Sequence, residues 1–309
     1  MLSDLASSLL PAVVSLSTKI PEDALSASVL GTERSGHGVV IREDGLLVTA
    51  GYLVSEAQDI WIATRDGATV PGWLVGYDYE TGFGLVRPSM PLSFSTIPLG
   101  SSADLAVADP VLVLSSSDEA GLDSLEASVV AKREFAGRWE YVLDEAIFTA
   151  PAHSSWAGAS LVDRKGRLCG IGSLMIQEFE SGDDTIGVNM FVPIDLLVPI
   201  IDDICEHGRR SDPARPWLGT LIQDVRDQLV IVGIYKNCPA DSAGLQPGDV
   251  LVEVAGQPVT GLANCFRRVW SLGSAGVAVP MTVMRGDRIL QTTVKSEDRE
   301  SFQPKGTVN

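Results

Sequence analysis

The chain has 309 residues, enough for two domains of ordinary size, and its 45% hydrophobic and 20% charged content marks a globular rather than a disordered sequence. With 40 acidic and 23 basic residues, the net charge is −17. A field of that sign repels phosphate backbones and anionic membranes, so nucleic acid is not an expected partner, and no apolar run is long enough to span a bilayer.

The first segment, MLSDLASSLLPAVVSLSTKI, is moderately apolar but lacks a basic leader, and Asp4 and Pro11 interrupt it. It does not read as a signal peptide. From about residue 12 to 195 the pattern is one of short strands and turns. VVIREDGLLVTA (39–50) predicts a hairpin around Glu-Asp-Gly, and residues 59–78 repeat the device around Arg65-Asp66-Gly67. Further strands are expected at 83–87, 110–115, 127–133, 140–144, 160–163, 167–175 and 186–192. Asp163, Asp183 and Asp184 read as solvated turn acids and His37 as a surface turn residue. Many short strands with Gly-rich turns point to an all-β-dominated fold, a barrel or a sandwich.

The period then changes. PIDLLVPIIDDICEHGRR (193–210) places Leu196, Leu197, Ile200, Ile201, Ile204 and Cys205 on one helical face, with Gly208 as the stop. Residues 208–216, polar and holding two prolines, read as a linker. A second unit, 217–297, has strands expected at 218–223, 228–234, 250–254, 257–259, 277–284 and 288–294 and a short helix at 262–272. The tail 298–309 is expected to be loose.

Cys169, Cys205, Cys238 and Cys265 are far apart in sequence, with no CxxC or Cys/His cluster, and read as reduced, mostly buried thiols. His37, His153 and His207 are too scattered for a metal site. No cofactor or metal is expected.

Several segments carry a resemblance. GHGVVIREDGLLVTAGYLV (36–54), IGVNMFVPIDLL (186–197), PWLGTLIQ and CPADSAGLQPGDVLVEVAGQPV (238–259) occur here in the order in which HtrA/DegP-type proteins carry similar segments. The resemblance runs from residue 4 to about 295. It implies a chymotrypsin-like double β-barrel over 1–207, followed by a PDZ domain, β-rich with short helices, over 217–297.

Serine-protease chemistry needs a hydroxyl nucleophile, an imidazole to take its proton and a carboxylate to orient the imidazole. The family's Asn-x-His reads Ala50-Gly51-Tyr52 here. Its Asp-Leu-Ala-Leu run reads Gly82-Phe83-Gly84-Leu85, and its Gly-Asn-Ser-Gly loop reads Ser155-Trp156-Ala157-Gly158. Tyr52, Gly82 and Ala157 therefore stand where the resemblance puts histidine, aspartate and serine, and no catalytic residue is expected. Three unrelated replacements point to natural degeneration rather than to an engineered edit. Ser155 and Trp156 also alter the loop whose amides would form an oxyanion hole. Asp78 and Glu80 are nearby candidates to mimic the lost acid, and a Ser–His dyad built on His153 with Ser154, Ser155 or Ser160 is a conceivable rescue. A local, non-catalytic role for His153 is the expectation.

In the PDZ unit the resemblance implies that Trp217, Leu218, Gly219 and Thr220 form a carboxylate-binding loop. The strand through Leu221 and Ile222 would offer an open edge, with Phe266 and Val269 on the opposite wall. The implied function is an inactive HtrA-like homologue that binds peptide C-termini or unfolded segments, or regulates an active HtrA-type protease. The alternatives are a cryptic serine endopeptidase with a relocated nucleophile and a chaperone-like holdase in protein quality control. The resemblance implies a periplasmic or secreted location. Residues 1–30 contain no Phe, Tyr or Trp, which argues against an aromatic-sealed trimer, while other oligomers stay open.

Overall fold

In the computed structural model, residues 2–90, 95–116, 123–181 and 184–302 are described; Asp183 falls outside them. The backbone divides into two units, residues 1–133 with 145–211, and residues 134–144 with 212–309.

The first unit begins with helix α1 (Leu2–Leu9) and holds two closed barrels of six strands each. In the first are β1 (Val13–Lys19), β2 (Glu33–Val40), β3 (Leu47–Ala50), β4 (Asp59–Ala63), β5 (Thr69–Tyr77) and β6 (Phe83–Pro88), with the short helix α2 (Ala27–Leu30) between β1 and β2. They close in the order β1-β2-β3-β6-β5-β4. Closure removes free strand edges, and alternation decides which side chains fill the interior. In β4, Ile60 and Ile62 point inward and are buried, while Trp61 between them is 46% exposed.

The second barrel takes β7 (Pro110–Leu114), β8 (Ser124–Gly137), β9 (Tyr141–Ala150), β10 (Ser160–Val162), β11 (Leu168–Ser181) and β12 (Asp184–Pro193) in the order β10-β11-β12-β9-β8-β7. Val111, Val113, Ile147, Leu161 and Phe191 meet in its core. Each such fully buried side chain contributes about 1.5–3 kcal/mol relative to exposure.

The helix expected over 193–210 is shorter. A 3-10 turn at Ile194–Leu196 precedes α3 (Ile201–His207), and Gly208 ends it in the left-handed region. Leu197, Ile200, Ile201 and Ile204 are buried, whereas Leu196 is exposed because the tighter turn rotates it off that face. Asp163 is also buried rather than solvated. Its carboxylate accepts from the amides of Lys165 and Arg167 and pairs with the Arg167 guanidinium, which pins the β10–β11 turn.

The second unit holds β13 (Thr220–Val225), β14 (Gln228–Ile234), β15 (Val250–Val254), β16 (Gln257–Pro258), β17 (Ala278–Arg285) and β18 (Arg288–Lys295), with helices α4 (Pro239–Ser242) and α5 (Leu262–Trp270). The sheet order is β13-β14-β15-β17-β18, with β16 beside β15. Its core joins Ile231, Leu251, Phe266, Val269, Val279 and Val283. The same core includes Val142, from the 134–144 segment that ends β8 and begins β9.

Candidate functional site

Backbone hydrogen bonds bring positions 52, 82 and 157 to one region of the first unit. Tyr52 sits in a 3-10 turn, Gly51–Leu53, that follows β3. Its neighbour Gly51 donates its N–H to the carbonyl of Gly82 at 2.7 Å. The Tyr52 hydroxyl donates to the carbonyl of Ser173 on β11 at 3.2 Å, and its own carbonyl accepts from Arg34 Nη1 at 2.6 Å. Burial pushes the phenol above the ordinary tyrosine range. A neutral phenol engaged as a donor is not a general base near neutral pH.

Gly82 has φ +82, the left-handed region that disfavours a side chain. It closes a turn opened by Asp78, whose buried carboxylate accepts from the amide and hydroxyl of Thr81 at 2.9 and 2.5 Å. Arg210 reaches Asp78 at 3.8 Å and pairs with Glu80. Both acids raised above as stand-ins for the lost carboxylate are therefore engaged with Thr81 or Arg210.

The loop before β10 is fixed from two sides. The Ala157 carbonyl accepts from the amide of His37 at 2.8 Å, and Gly158 N–H donates to the carbonyl of Gly172 on β11 at 2.8 Å. Gly158 has φ +76, and a Cβ there would lie 1.9 Å from the His37 carbonyl oxygen. His37 is not a surface turn residue. It lies within β2, half-buried, with Nδ1 accepting from the amide of Ser116 at 3.2 Å.

His153 is fully buried. Asn189 brackets its backbone, accepting from its N–H at 2.6 Å and donating to its carbonyl at 3.1 Å. The ring's Nδ1 accepts from the amide of Ser155 at 3.0 Å, which assigns the proton to Nε2, facing Ser115 Oγ at 3.5 Å. This is the local role expected for His153. The Nδ1 lone pair takes the Ser155 amide. The Ser155 amide, an oxyanion donor by resemblance, points at His153. Ser160 Oγ is buried and has no hydrogen-bond partner among the described residues. Beside this loop lies a cleft of about 490 Å³ whose walls include Ser15, Ser35, His37, Trp61, Ser155 and Trp156. Tyr52 does not line it.

In the second unit, four of the eight residues singled out from the sequence share one cluster. Gly219 has φ +81 and approaches Cys238 so closely that a Cβ would sit 2.6 Å from Cys238 Cβ. Leu218, Ile222, Phe266 and Val269 share the core cluster. Leu221 pairs with Gly233, and the ladder is bulged between Leu221 and Ile222. Trp217 is buried near Tyr235 and Phe302, its backbone bridged to Glu297.

The loop and edge are not open. The Glu140 carboxylate accepts from the amide of Leu218 at 3.0 Å and from the amide and hydroxyl of Thr220 at 2.8 and 3.0 Å. The Ile222 amide donates to the carbonyl of Arg138 at 2.9 Å. Burial pushes the Glu140 carboxyl above its ordinary range, against the pull of the Thr220 and Leu218 donors and the Arg299 charge. The sequence reading missed the roles of Glu140, Arg138 and Val142: it placed Glu140 and Val142 in a strand expected over 140–144, and strand alternation carries no signal for a partner near residue 220.

Fold and site together define a class: a trypsin-like peptidase domain followed by a PDZ domain. Comparisons with known proteins agree. The trypsin-like peptidase domain family matches residues 36–171, and the PDZ domain family matches 216–296. In this domain order the chain is similar to HtrA-type proteins. It is 29% identical over 279 residues to a probable periplasmic serine endoprotease, DegP-like, of Halomonas elongata, covering 85% of this chain and 56% of that one. It is 24% identical over 278 residues to the serine endoprotease DegS of Escherichia coli, covering 84% and 76%. A solved HtrA-type protease, AlgW with tripeptide, superposes with a TM-score of 0.58 at 23% identity, covering 96% of this chain and 97% of that one. The chain thus spans just over half the length of the DegP-like relatives it matches. Among the described residues, no helix is long and apolar enough to cross a membrane.

Proposed function

We propose that this HtrA-like chain is a pseudoprotease that holds peptides, or regulates an active relative, without cutting them. One observation carries the reading. The positions that resemblance assigns to base, acid and nucleophile hold Tyr52, Gly82 and Ala157, and the phenol at position 52 donates to Ser173 rather than facing a nucleophile. The bond from the Ser155 amide to His153 Nδ1 adds support, since it removes an oxyanion donor and occupies Nδ1 of the rescue dyad's imidazole. Without base, acid and nucleophile, a hydrolytic scaffold retains only its binding surfaces.

The PDZ unit supplies the recognition elements, a strand edge and a loop of amides suited to an α-carboxylate, which Arg138 and Glu140 engage in this structure. The named periplasmic relatives make the periplasm the proposed compartment. A second reading, a holdase using the old cleft, is favoured by the exposed Trp61 and by Trp156 beside a run of serines in that cleft.

The test is incubation of the purified full chain with unfolded casein and, separately, with a fluorophosphonate probe. No fragments and no labelling are expected. Casein cleavage or stoichiometric labelling, with contaminating proteases excluded by gel and mass spectrometry, overturns the proposal.

A further inference from the structure

We propose that the PDZ groove carries a ligand built into the chain: residues 138–142 occupy it, with the Glu140 side-chain carboxylate taking the seat of a peptide's terminal carboxylate. An incoming C-terminal peptide would then bind only by displacing this segment. The proposal deepens the peptide-binding reading above and rests on it.

Each part of a C-terminal peptide has a counterpart here. A terminal carboxylate is held by amides of the loop ahead of the edge strand; Glu140 receives the amides of Leu218 and Thr220 and the Thr220 hydroxyl. A peptide backbone adds to the edge strand through main-chain bonds; Arg138, two residues earlier, accepts from the Ile222 amide. An apolar side chain enters the pocket between strand and helix; Val142 is buried in the cluster with Leu218, Ile222, Phe266 and Val269. A free peptide ends at its carboxylate, whereas this chain must turn and leave. Glu140 makes that turn with φ +62, a region costly for a non-glycine residue and retained where surrounding contacts fix it. On helix α5, Arg267 pairs with both Glu134 and Asp144, the two ends of the inserted segment.

The built-in ligand is also costly to seat. A true α-carboxylate arrives at the end of a mobile chain, while Glu140 is half-buried in a left-handed turn, and burial opposes its charge. Such a segment holds the groove by proximity rather than by ideal fit, so a peptide of sufficient affinity can replace it. If the groove is open in only a few per cent of molecules, the apparent affinity for an external peptide falls by about 10- to 100-fold.

The experiment uses the full chain, with Glu140→Ala and Glu140→Gln variants, and a fluorescent library of peptides ending in an apolar residue, each paired with its C-terminally amidated form. Two readouts are taken: peptide affinity, and hydrogen exchange at the amides of Leu218, Thr220 and Ile222. Glu140→Ala is expected to speed exchange at those amides at least 10-fold, leaving β15 and β17 unchanged. It is expected to raise affinity for free-acid peptides at least 10-fold and for amidated peptides not at all. Should Glu140→Ala lose the fold by circular dichroism, Val142→Ala replaces it and is expected to act in the same direction with a smaller change. Unchanged exchange overturns self-occupancy. Faster exchange with equal peptide affinity in parent and variant overturns the competition. Faster exchange with no peptide bound by either protein sinks the peptide-binding reading, and the competition falls with it.

Discussion

The amide of Ser155 donates to Nδ1 of His153 at 3.0 Å, inside a loop where that amide would otherwise face a substrate's carbonyl oxygen. Restoring a hydroxyl nearby therefore restores little. Ala157→Ser would gain a nucleophile without a base, since Tyr52 donates to Ser173. Fluorophosphonate labelling of this variant is expected to stay at least about 10³-fold slower than for an intact triad enzyme. Adding Tyr52→His and Gly82→Asp would still place a side chain at φ +82 and leave the Ser155 amide turned away. Robust casein hydrolysis by the single variant would show that the remaining loop is competent.

The nucleophile loop depends on Gly158. A Cβ there meets the His37 carbonyl at 1.9 Å, at a positive φ, so Gly158→Ala is expected to cost about 3 kcal/mol or more. Gly67 also has a positive φ, but nothing lies within 4 Å of its built Cβ, so Gly67→Ala is expected to cost only about 1 kcal/mol. Melting curves should separate them: a fall of about 2–4 °C per kcal/mol for a unit of this size predicts roughly 6–12 °C against 2–4 °C. Equal shifts would mean that the loop relaxes away from His37.

Acid should loosen the second unit through Asp249. Burial opposes its ionisation, but the Arg285 guanidinium at 2.6 and 2.7 Å and the Gln246 amide more than offset this, holding the carboxyl below its ordinary 3.8. A depressed folded-state pKa stabilises above the unfolded value and loses that contribution as pH falls through the folded one. Stability of this unit should therefore decline from about pH 4 downward. Asp249→Asn should remove that part of the pH dependence and cost about 2–3 kcal/mol at pH 7. Urea titrations at pH 7, 4 and 3 that show parallel losses in parent and variant would refute the assignment.

The four thiols are free and differ in access. Burial pushes Cys169, Cys238 and Cys265 up to about 12, whereas Cys205 on α3 is only partly buried. Thiolate is the reactive form, so native protein at pH 8 should react with Ellman's reagent at Cys205 first and slowly, and at all four after guanidinium unfolding. Rapid labelling at more than one site in native protein would contradict the packing described.

Much of the architecture was legible because strand alternation and turn glycines are local signals. The runs around 39–50 and 59–78 fold as the hairpins they spell. The helix over 193–210 came out shorter because a periodic apolar face does not distinguish a 3-10 turn from the α-helix that follows it. His37 was misplaced for a different reason: glycines on both sides mimic a turn, although pairing with Ser15 keeps it in β2. The Glu140 seat was invisible because it depends on residues 78 and 80 positions away, and no local pattern encodes that pairing.

One feature of the second unit bears on how the protein is cut for study. Its hydrophobic interior borrows Val142 from a hairpin about seventy residues upstream of the linker. A clone begun at Asp212 would leave that borrowed plug behind, with loop amides bare and an apolar socket vacant. Its appetite for peptides, and its tendency to clump, would belong to the excision rather than to the intact chain.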